Sequence, residues 1–300
     1  MSELFDAGFR AILARVLARA RRLRVAGEST ELARLRRRGI GGTFAGHRAY
    51  TPGEDLRLLD WNAFARSREL HVKVLEAEHR RALTLLLDAS PSMAAGVPPR
   101  FDGARRLAAL IGGVALARLD ALTLVVGEER ANFAGAASLE SMLTWLAARR
   151  PAPGAADTPL RAWLTPQRAR SRAQSDALRH AGRAVWISDF AETEELRRGL
   201  ALLAPLRRRV LGLVAAGSDE RGLGLEGYVE IVDAGRDDRE RLRVDPALQL
   251  AYAEELRAHG RRVAAAFLAA GVARLRQDVD GEGPRGVAEW TDGGWLDWLL

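Results

Sequence analysis

The sequence of 300 residues contains no cysteine and a single lysine, Lys73. Without cysteine there can be no disulfide framework, no thiolate zinc site and no cysteine nucleophile. Long apolar runs are also missing, since the longest uncharged stretches, residues 107–117 and 263–273, are about half of the roughly 20 residues that cross a bilayer. These absences exclude several classes of enzyme and predict a chain without a membrane span.

The first residues, Met1 to Asp6, include acidic side chains and lack the basic region and apolar block of a secretory signal. We therefore expect a cytoplasmic protein. No Gly-Lys-Ser/Thr motif occurs, so the chain is not expected to be a P-loop ATPase.

Arginine supplies nearly all of the positive charge, and the formal net charge is +7 with a pI near 10.8. Such a charge is compatible with binding to nucleic acid. The arginine runs, however, alternate with apolar positions and carry no aromatic stacking pattern. We interpret them as solvated faces and do not expect nucleic acid as a partner. An arginine-rich nucleic-acid-binding protein remains an alternative function.

The order of the predicted elements indicates the fold class. Apolar residues spaced by three and four predict an amphipathic helix over residues 3–24, and residues 39–68 show no regular period. Strand and helix patterns then alternate, with strands expected at 82–87, 121–126, 184–188, 209–215 and 228–232, and helices at 101–118, 137–149, 173–181, 192–204 and 246–270. This alternation predicts an α/β protein: a Rossmann-like, doubly wound, mostly parallel sheet with helices on both faces, preceded by an N-terminal helix and an irregular or extended segment.

We divide the chain accordingly. Residues 1–80 hold the N-terminal helix and the irregular segment, residues 81–280 hold the sheet domain, and residues 281–300 form a tail with a short helix.

A turn with three oxygen side chains follows the first buried strand of the predicted sheet. Asp88, Ser90 and Ser92 form an Asp-x-Ser-x-Ser pattern directly after the apolar run 82–87. Ligands of open α/β sheets bind at the carboxyl ends of the strands, and hard cations such as Mg²⁺ prefer oxygen ligands. The same residue types also occur in turns and helix caps. The turn is therefore a candidate metal site.

Two later segments add oxygen donors at the same edge of the sheet. Asp189 follows the apolar strand 184–188, and Thr158 lies in the loop 154–160 between these strands. Asp88, Ser90, Ser92, Thr158 and Asp189 are thus the residues that we expect to hold a Mg²⁺ or Mn²⁺ ion.

With this order of Asp-x-Ser-x-Ser, Thr and Asp, the chain resembles the von Willebrand factor A-like domains that carry a metal-ion-dependent adhesion site. Within that group, residues 44–78 are similar to the signature of the bacterial domain-of-unknown-function 58 family. The recognisable signature residues are Arg48, Tyr50, the turn 52–55 with Asp55, Arg57, Asp60, Trp61, Arg66, Val72, Glu76 and Glu78.

The resemblance implies a non-enzymatic protein-interaction module. In such sites Ser90 and Ser92 would bind the ion directly, Thr158 directly or through water, and Asp88 and Asp189 through coordinated waters. An open coordination position would take a carboxylate from a protein partner. The family further implies a partnership with an AAA+ ATPase of the MoxR type, in a chaperone-like or assembly role.

Several alternatives stay open. A metal-dependent phosphohydrolase of the haloacid dehalogenase type would need a second Asp where Ser90 stands. The charged signature residues are as compatible with a salt-bridged scaffold as with partner docking, and Tyr50 and Trp61 are expected to fill the core. The sequence also leaves open whether Asp157 intrudes on the metal site.

Overall fold

The fold is described from a computed structural model. The described residues are 3–27, 43–52, 59–76, 82–118, 121–152, 154, 156–164, 182–191, 193–217, 224–232, 238–279 and 294–299.

Helices and strands follow one another along the chain in this order: α1 Ala7–Gly27, β1 Thr43–Ala49, α2 Trp61–Ser67, β2 His71–Glu76, β3 Ala82–Leu87, α3 Arg100–Ala117, β4 Ala121–Val126, β5 Glu129–Ala134, α4 Leu139–Ala147, α5 Thr158–Leu164, β6 Arg183–Ser188, α6 Thr193–Leu203, β7 Val210–Ala216, β8 Gly227–Val232, β9 Arg239–Val244, α7 Pro246–Ala270, β10 Ala273–Asp278 and α8 Trp295–Leu299. They form two compact units, one of residues 1–21 and 81–300 and the other of residues 22–80.

The larger unit is a mixed α/β structure around a six-stranded sheet with the order β10-β7-β6-β3-β4-β5. The five strands from β10 to β4 run parallel, and only β5 is antiparallel, to β4. The chain leaves β3 towards β4 and β5 and then returns to β6 on the other side of β3. The carboxyl ends of β3 and β6 are therefore neighbours, as the predicted mostly parallel sheet requires.

Alternate residues of β3 face opposite layers of helices. Leu83, Leu85 and Leu87 belong to one buried cluster, which includes the apolar faces of α1 and α3. Leu86 belongs to a second cluster with apolar residues of α6 and α7. Both faces of the sheet are thus covered, which explains why β3 is a continuous apolar run.

Residues 7–21 of helix α1 pack into the sheet unit. The buried residues of α1 and of the 3₁₀ turn Glu3–Phe5 before it include those that the periodicity indicates: Leu4, Phe5, Phe9, Ile12, Leu13, Val16 and Leu17. The carboxylate Oδ1 of Asp6 accepts a hydrogen bond from the Phe9 N–H at 2.7 Å and so caps the start of the helix. The short helix α8 enters the same cluster through Trp295, Leu296 and Leu299.

Two predicted elements differ from the structure. Residues 228–232 were expected in the main sheet, but β8 pairs only with β9 as a separate antiparallel ribbon, and Tyr228 is 84% exposed. Strand β10, and not β8, is the neighbour of β7 at that edge of the main sheet. Thr158 begins a short helix, although it was expected in a loop. The helix predicted at 173–181 lies outside the described residues.

The smaller unit contains the antiparallel pair of β1 and β2 and the helix α2. Asp60 caps α2 by accepting hydrogen bonds from the N–H groups of Asn62 and Ala63.

In the described part of the chain, no helix combines the length and the apolar character that a membrane-crossing segment requires.

Candidate metal centre

The carboxylate of Asp88 is fixed by hydrogen bonds where β3 ends. The Asp88 N–H donates to the Ile187 carbonyl at 2.9 Å, which continues the β3–β6 ladder one residue beyond the strand. Its Oδ1 accepts from the Ser90 N–H at 2.7 Å, and its Oδ2 accepts from the Ser188 hydroxyl at 2.7 Å. Because Asp88 is wholly buried, these bonds replace the water that a carboxylate would otherwise bind.

The hydroxyls of Ser90 and Ser92 converge. Their Oγ atoms lie 3.1 Å apart, on the turn that enters the short 3₁₀ helix Pro91–Ala94. Proline suits the first position of such a helix, because its missing N–H would have no partner there. The turn therefore presents two hydroxyl oxygens together, beside the anchored carboxylate of Asp88.

Asp189 occupies the equivalent position after β6. Its Oδ1 accepts a hydrogen bond from the Ala191 N–H at 3.1 Å. Its Oδ2 lies 3.0 Å from Nη1 of Arg100, the first residue of α3. Asp189 thus reaches the edge of the sheet as part of an ion pair.

The charge of Asp189 lies close enough to act on the carboxylate of Asp88. Burial, and after it the negative charge of Asp189, raises the pKa of Asp88 to about 6, against the hydrogen bonds from Ser188 and Ser90, which lower it. A buried carboxylate beside a second carboxylate is an environment that a cation would stabilise.

Phe190 has an unusual backbone conformation, with φ of 53°. Its ring lies against those of Trp186 and Phe267 at centroid distances of 4.8 and 5.2 Å. Its N–H donates to Ser188 Oγ at 2.9 Å, and this hydroxyl in turn donates to Asp88. The left-handed residue therefore belongs to the network that orients the Asp88 carboxylate, and strained residues often lie at functional sites.

The segment that leads to Thr158, the first residue of α5, starts beside the serine turn. The Ala152 N–H donates to the Ala89 carbonyl at 2.8 Å. A side chain at Gly154 would crowd the loop, because its Cβ would lie 3.2 Å from Thr158 Oγ1. The predicted ligand Thr158 thus begins α5 a few residues after Ala152, which is bonded to the serine turn.

Asp157 is held by arginine. Its buried carboxylate Oδ2 lies 2.9 Å from Arg161 Nε and 2.7 Å from Arg161 Nη2. Its Oδ1 is buried with no hydrogen-bond partner among the described residues. The ion pair with Arg161 gives Asp157 a structural role in the turn before α5.

The predicted donors therefore fall into two groups. Asp88, Ser90, Ser92 and Asp189 lie at the adjacent carboxyl ends of β3 and β6, and Thr158 begins α5, after the segment whose Ala152 is bonded to the serine turn. Within the described ranges, no three histidine, aspartate or glutamate side chains form a group able to hold a metal. An ion at this edge would need the serine and threonine hydroxyls in addition to the two carboxylates.

Two residues of the site were not identified from the sequence. Ser188 donates to Asp88, and Arg100 pairs with Asp189. Ser188 immediately precedes Asp189 at the end of a predicted strand, which is a weak local signal. Arg100 is 89 residues from its partner, so no local pattern identifies it.

The signature residues lie in the smaller unit, where the structure describes some of them. Oδ2 of Asp60 lies 2.7 Å from Nε2 of His47, and the Tyr50 N–H donates to the Leu70 carbonyl. Arg66 is exposed on α2. Arg48 and Glu76 lie on β1 and β2. Asp55, Arg57 and Glu78 lie outside the described residues.

The expectation that Trp61 fills a core is wrong. Trp61 is 63% exposed, and its ring meets that of Phe64 edge to face at 6.3 Å. Trp61 is the first residue of α2, directly after its cap Asp60. Tyr50 is half-buried.

Fold and site together define a mixed α/β protein with a polar cluster at the carboxyl edge of a mostly parallel sheet. The model of the DUF58 family, described as a protein of unknown function, matches residues 46–262. The chain belongs to this family.

Similar proteins include the uncharacterized protein Rv1480 of Mycobacterium tuberculosis and the uncharacterized protein Mb1516 of Mycobacterium bovis. Each is 28% identical over 262 residues, which cover 81% of this chain and 77% of the relative. Among solved structures, an aerotolerance-related membrane protein from Bacteroides fragilis, crystallised with multiple mutations to serine, matches at 17% identity and a TM-score of 0.35. The match covers 71% of this chain and 97% of that chain.

Proposed function

We propose that this chain is a non-enzymatic protein-interaction module of the von Willebrand factor A type, with a Rossmann-like fold and a metal-ion-dependent adhesion site. Asp88, Ser90, Ser92, Thr158 and Asp189 would hold a Mg²⁺ or Mn²⁺ ion. The ion would offer an open coordination position to a carboxylate of a protein partner.

The observation that carries the proposal is the pairing of Asp88 and Asp189 at neighbouring strand ends. The charge of Asp189 helps to raise the pKa of Asp88, and the two serine hydroxyls lie 3.1 Å apart on the same turn. Carboxylates and hydroxyls are hard oxygen donors, and the burial of the site limits competition from bulk water. The residues present therefore fit a divalent cation of the Mg²⁺ type.

The hydrogen bonds on Asp88 favour a binding role over a catalytic one. Both carboxylate oxygens already accept hydrogen bonds, from the Ser90 N–H and the Ser188 hydroxyl. A nucleophilic aspartate needs an exposed oxygen and a nearby general acid, whereas Asp88 is wholly buried and Ser90 occupies the position of the second aspartate. Asp88 is instead suited to orient a water molecule bound to the ion.

The proposed ATPase partner and the chaperone-like role depend on the resemblance seen in the sequence. This chain lacks a P-loop, so an AAA+ ATPase of the MoxR type would be a separate polypeptide that engages it.

Calorimetric titration with Mg²⁺ and Mn²⁺ tests the site. Wild type is expected to bind one ion. Asp88→Ala and Ser90→Ala are expected to weaken binding by at least about tenfold, because Ser90 is a proposed direct ligand and Asp88 would hold a water molecule bound to the ion. Ser141→Ala, at an exposed position of α4, is the matched control and should bind as wild type does. Equal binding by all four proteins would reject the metal site.

A further inference from the structure

Helix α7 leaves most of its surface exposed. It has 25 residues and a length of about 37 Å. Among these residues, all of which the structure describes, only Val263 and Phe267 are buried, in the cluster on that face of the sheet. Leu250 is 60% exposed and Leu268 is 82% exposed. The helix therefore carries an exposed leucine near each end.

The two leucines belong to one stripe on the outer side of α7. Residues spaced by three and four lie on the same side of a helix, here the side that points away from Val263 and Phe267. This outer stripe consists of seven exposed residues: Ala247, Leu250, Glu254, Arg257, Arg261, Ala265 and Leu268. Its ends are apolar and its middle is charged.

The charged side chains of the outer stripe are available to a partner. Glu254, Arg257 and Arg261 form no side-chain hydrogen bond or ion pair with the described part of the chain. The neighbouring charges, Glu255 and Arg262, are paired with each other at 2.6 Å and so balance. The outer stripe therefore offers one carboxylate and two guanidinium groups that only water now solvates.

These charges match a second copy of the same helix. Two antiparallel α7 helices related by a two-fold axis near Arg257 would place Glu254 of each copy opposite Arg261 of the other. Two pairs of opposite charge would form in this way. Arg257 would lie within about one helical turn of the other copy's Glu254, and its long side chain can also turn its charge towards water.

The leucines fit the same arrangement. The axis that pairs Glu254 with Arg261 places Leu250 opposite Ala265 of the second copy and Leu268 opposite Ala247. Each large side chain thus meets a small one, as close packing of two helices requires. A two-fold interface needs a surface that complements itself, and the outer stripe does so in both its charges and its side-chain sizes.

A phosphate-rich surface fits the outer stripe less well. Nucleic acid or anionic lipid would attract Arg257 and Arg261, but it would repel Glu254 on the same stripe. A second copy supplies both an arginine for Glu254 and an alanine for each leucine.

We propose that two copies of this chain associate through the outer stripe of α7, with the helices antiparallel about a two-fold axis. The contact is a single pair of helices and is therefore smaller than a standard interface, so we expect a dissociation constant on the order of 10 μM. No residue of the outer stripe belongs to the candidate metal centre, so the association should be equal in Mg²⁺ and in EDTA.

Sedimentation velocity of the full chain, at protein concentrations from about 1 to 200 μM, tests the association. Glu254→Arg and Arg261→Glu should each weaken it by at least about tenfold, because each variant places two like-charge pairs in the dimer. Leu268→Ser should weaken it as well, since it removes both leucine contacts at that position. The matched control is Arg19→Glu, a charge reversal at an exposed position of α1, which should change the dissociation constant less than about twofold.

A mixture of the two charge variants tests the antiparallel pairing itself. The Glu254→Arg copy and the Arg261→Glu copy face each other with opposite charges at both pairs, so the equimolar mixture should associate about as tightly as wild type. All of these positions are exposed, and thermal unfolding of each variant checks that the fold is kept.

Three outcomes would overturn the proposal. The first is a wild-type chain that stays monomeric over the whole concentration range. The second is a mixture of the two charge variants that associates no better than either variant alone. The third is an association that Arg19→Glu weakens as much as Arg261→Glu does, which would indicate a general effect of charge. Binding of duplex DNA or anionic vesicles by a monomeric chain, lost in Arg261→Glu, would assign the outer stripe to another partner and overturn it too.

Discussion

Arg100 and Asp189 form an almost completely buried ion pair, with side chains that are 10% and 4% exposed. The arginine begins α3, and the aspartate follows β6 at the carboxyl edge of the sheet. The proposed ion and the Arg100 guanidinium are thus two cations that both depend on Asp189. The ion and the guanidinium therefore compete for the Asp189 carboxylate.

Replacing Arg100 with glutamine should strengthen Mg²⁺ binding several-fold while destabilising the metal-free protein. The substitution removes a positive charge beside the proposed ion, and it leaves a buried carboxylate unpaired at a cost of roughly 3 kcal/mol. Calorimetry gives the affinity, and urea unfolding in EDTA gives the free energy of unfolding. Arg130→Gln, at an exposed position of β5, should change neither. Weaker Mg²⁺ binding by Arg100→Gln would contradict the prediction and would indicate that Arg100 positions Asp189 for the ion.

Asp88 should destabilise the metal-free protein at neutral and alkaline pH. Its pKa in the folded protein is about 6, above the ordinary value of a carboxyl group, so the folded state binds the proton more tightly than the unfolded state does. The stabilisation from this proton is complete at pH values below the unfolded pKa and is lost as the pH rises through about 6. Asp88→Asn, which resembles the protonated form, should therefore be more stable than wild type at pH 8 by on the order of 2 kcal/mol.

Urea unfolding in EDTA at pH 8 and near pH 4.5 measures this effect as a difference between Asp88→Asn and wild type. The difference should shrink at the lower pH, because Asp88 is then protonated in wild type as well. Asp238→Asn, on the exposed start of the β9 ribbon, should show no such pH dependence. A difference of equal size at both pH values would contradict the raised pKa.

The sequence predicts the centre of the sheet better than its edges. Residues 82–87 and 184–188 are apolar runs because β3 and β6 are covered on both faces, so their strands and the polar residues that follow them could be recognised. Strand β10 has arginines at alternate positions, because it lies at the edge, and it shows no apolar run. Strand β8 has an apolar pattern but pairs outside the main sheet. The central strands differ from β8 and β10 in how far their two faces are buried, and not in intrinsic strand propensity.

For the candidate site, the sequence indicates the residues next to the strand ends but not their long-range partners. Asp88 and Asp189 each follow a recognisable strand, so their convergence could be expected from the rules for parallel sheets. The ion pair with Arg100 joins residues far apart in the chain, and the position of Thr158 depends on the short helix α5, which begins Thr158-Pro159 and has no long periodic pattern. Such features depend on tertiary packing, for which a single sequence gives no signal.

Arg105 should be needed to hold the loop that leads to the candidate site. Its Nη1 donates to the carbonyls of Arg149 at 2.8 Å, Ala147 at 3.0 Å and Leu146 at 3.3 Å at the end of α4, and its Nη2 pairs with the Asp102 carboxylate. The chain then continues to Ala152, which is bonded to Ala89 in the serine turn. Arg105→Ala removes these hydrogen bonds and the packing of a buried side chain, so we expect a loss of roughly 3 kcal/mol in the free energy of unfolding.

Urea unfolding measures this loss, with Arg130→Ala as the control at an exposed position. Hydrogen exchange should also show faster exchange of the Ala152 amide in Arg105→Ala than in the control. An Arg105→Ala protein as stable as the control would show that the other donors to these carbonyls, the Arg149 N–H and the Arg150 guanidinium, hold the end of α4 without Arg105.

Two helical glycines should respond in opposite directions to the same substitution. A Cβ on Gly103 in α3 would overlap the backbone carbonyl of Val279, whereas a Cβ on Gly260 in α7 would meet no atom within 4 Å. Alanine gains about 0.5–1 kcal/mol over glycine within a helix, so Gly260→Ala should be stabilising. Gly103→Ala should lose more than about 2 kcal/mol, because the backbone of Val279 cannot move away as a flexible side chain can. Since the gain in helix propensity is common to both variants, the difference in urea unfolding isolates the overlap. Equal stability of the two variants would show that α3 and the segment after β10 lie farther apart than the structure places them.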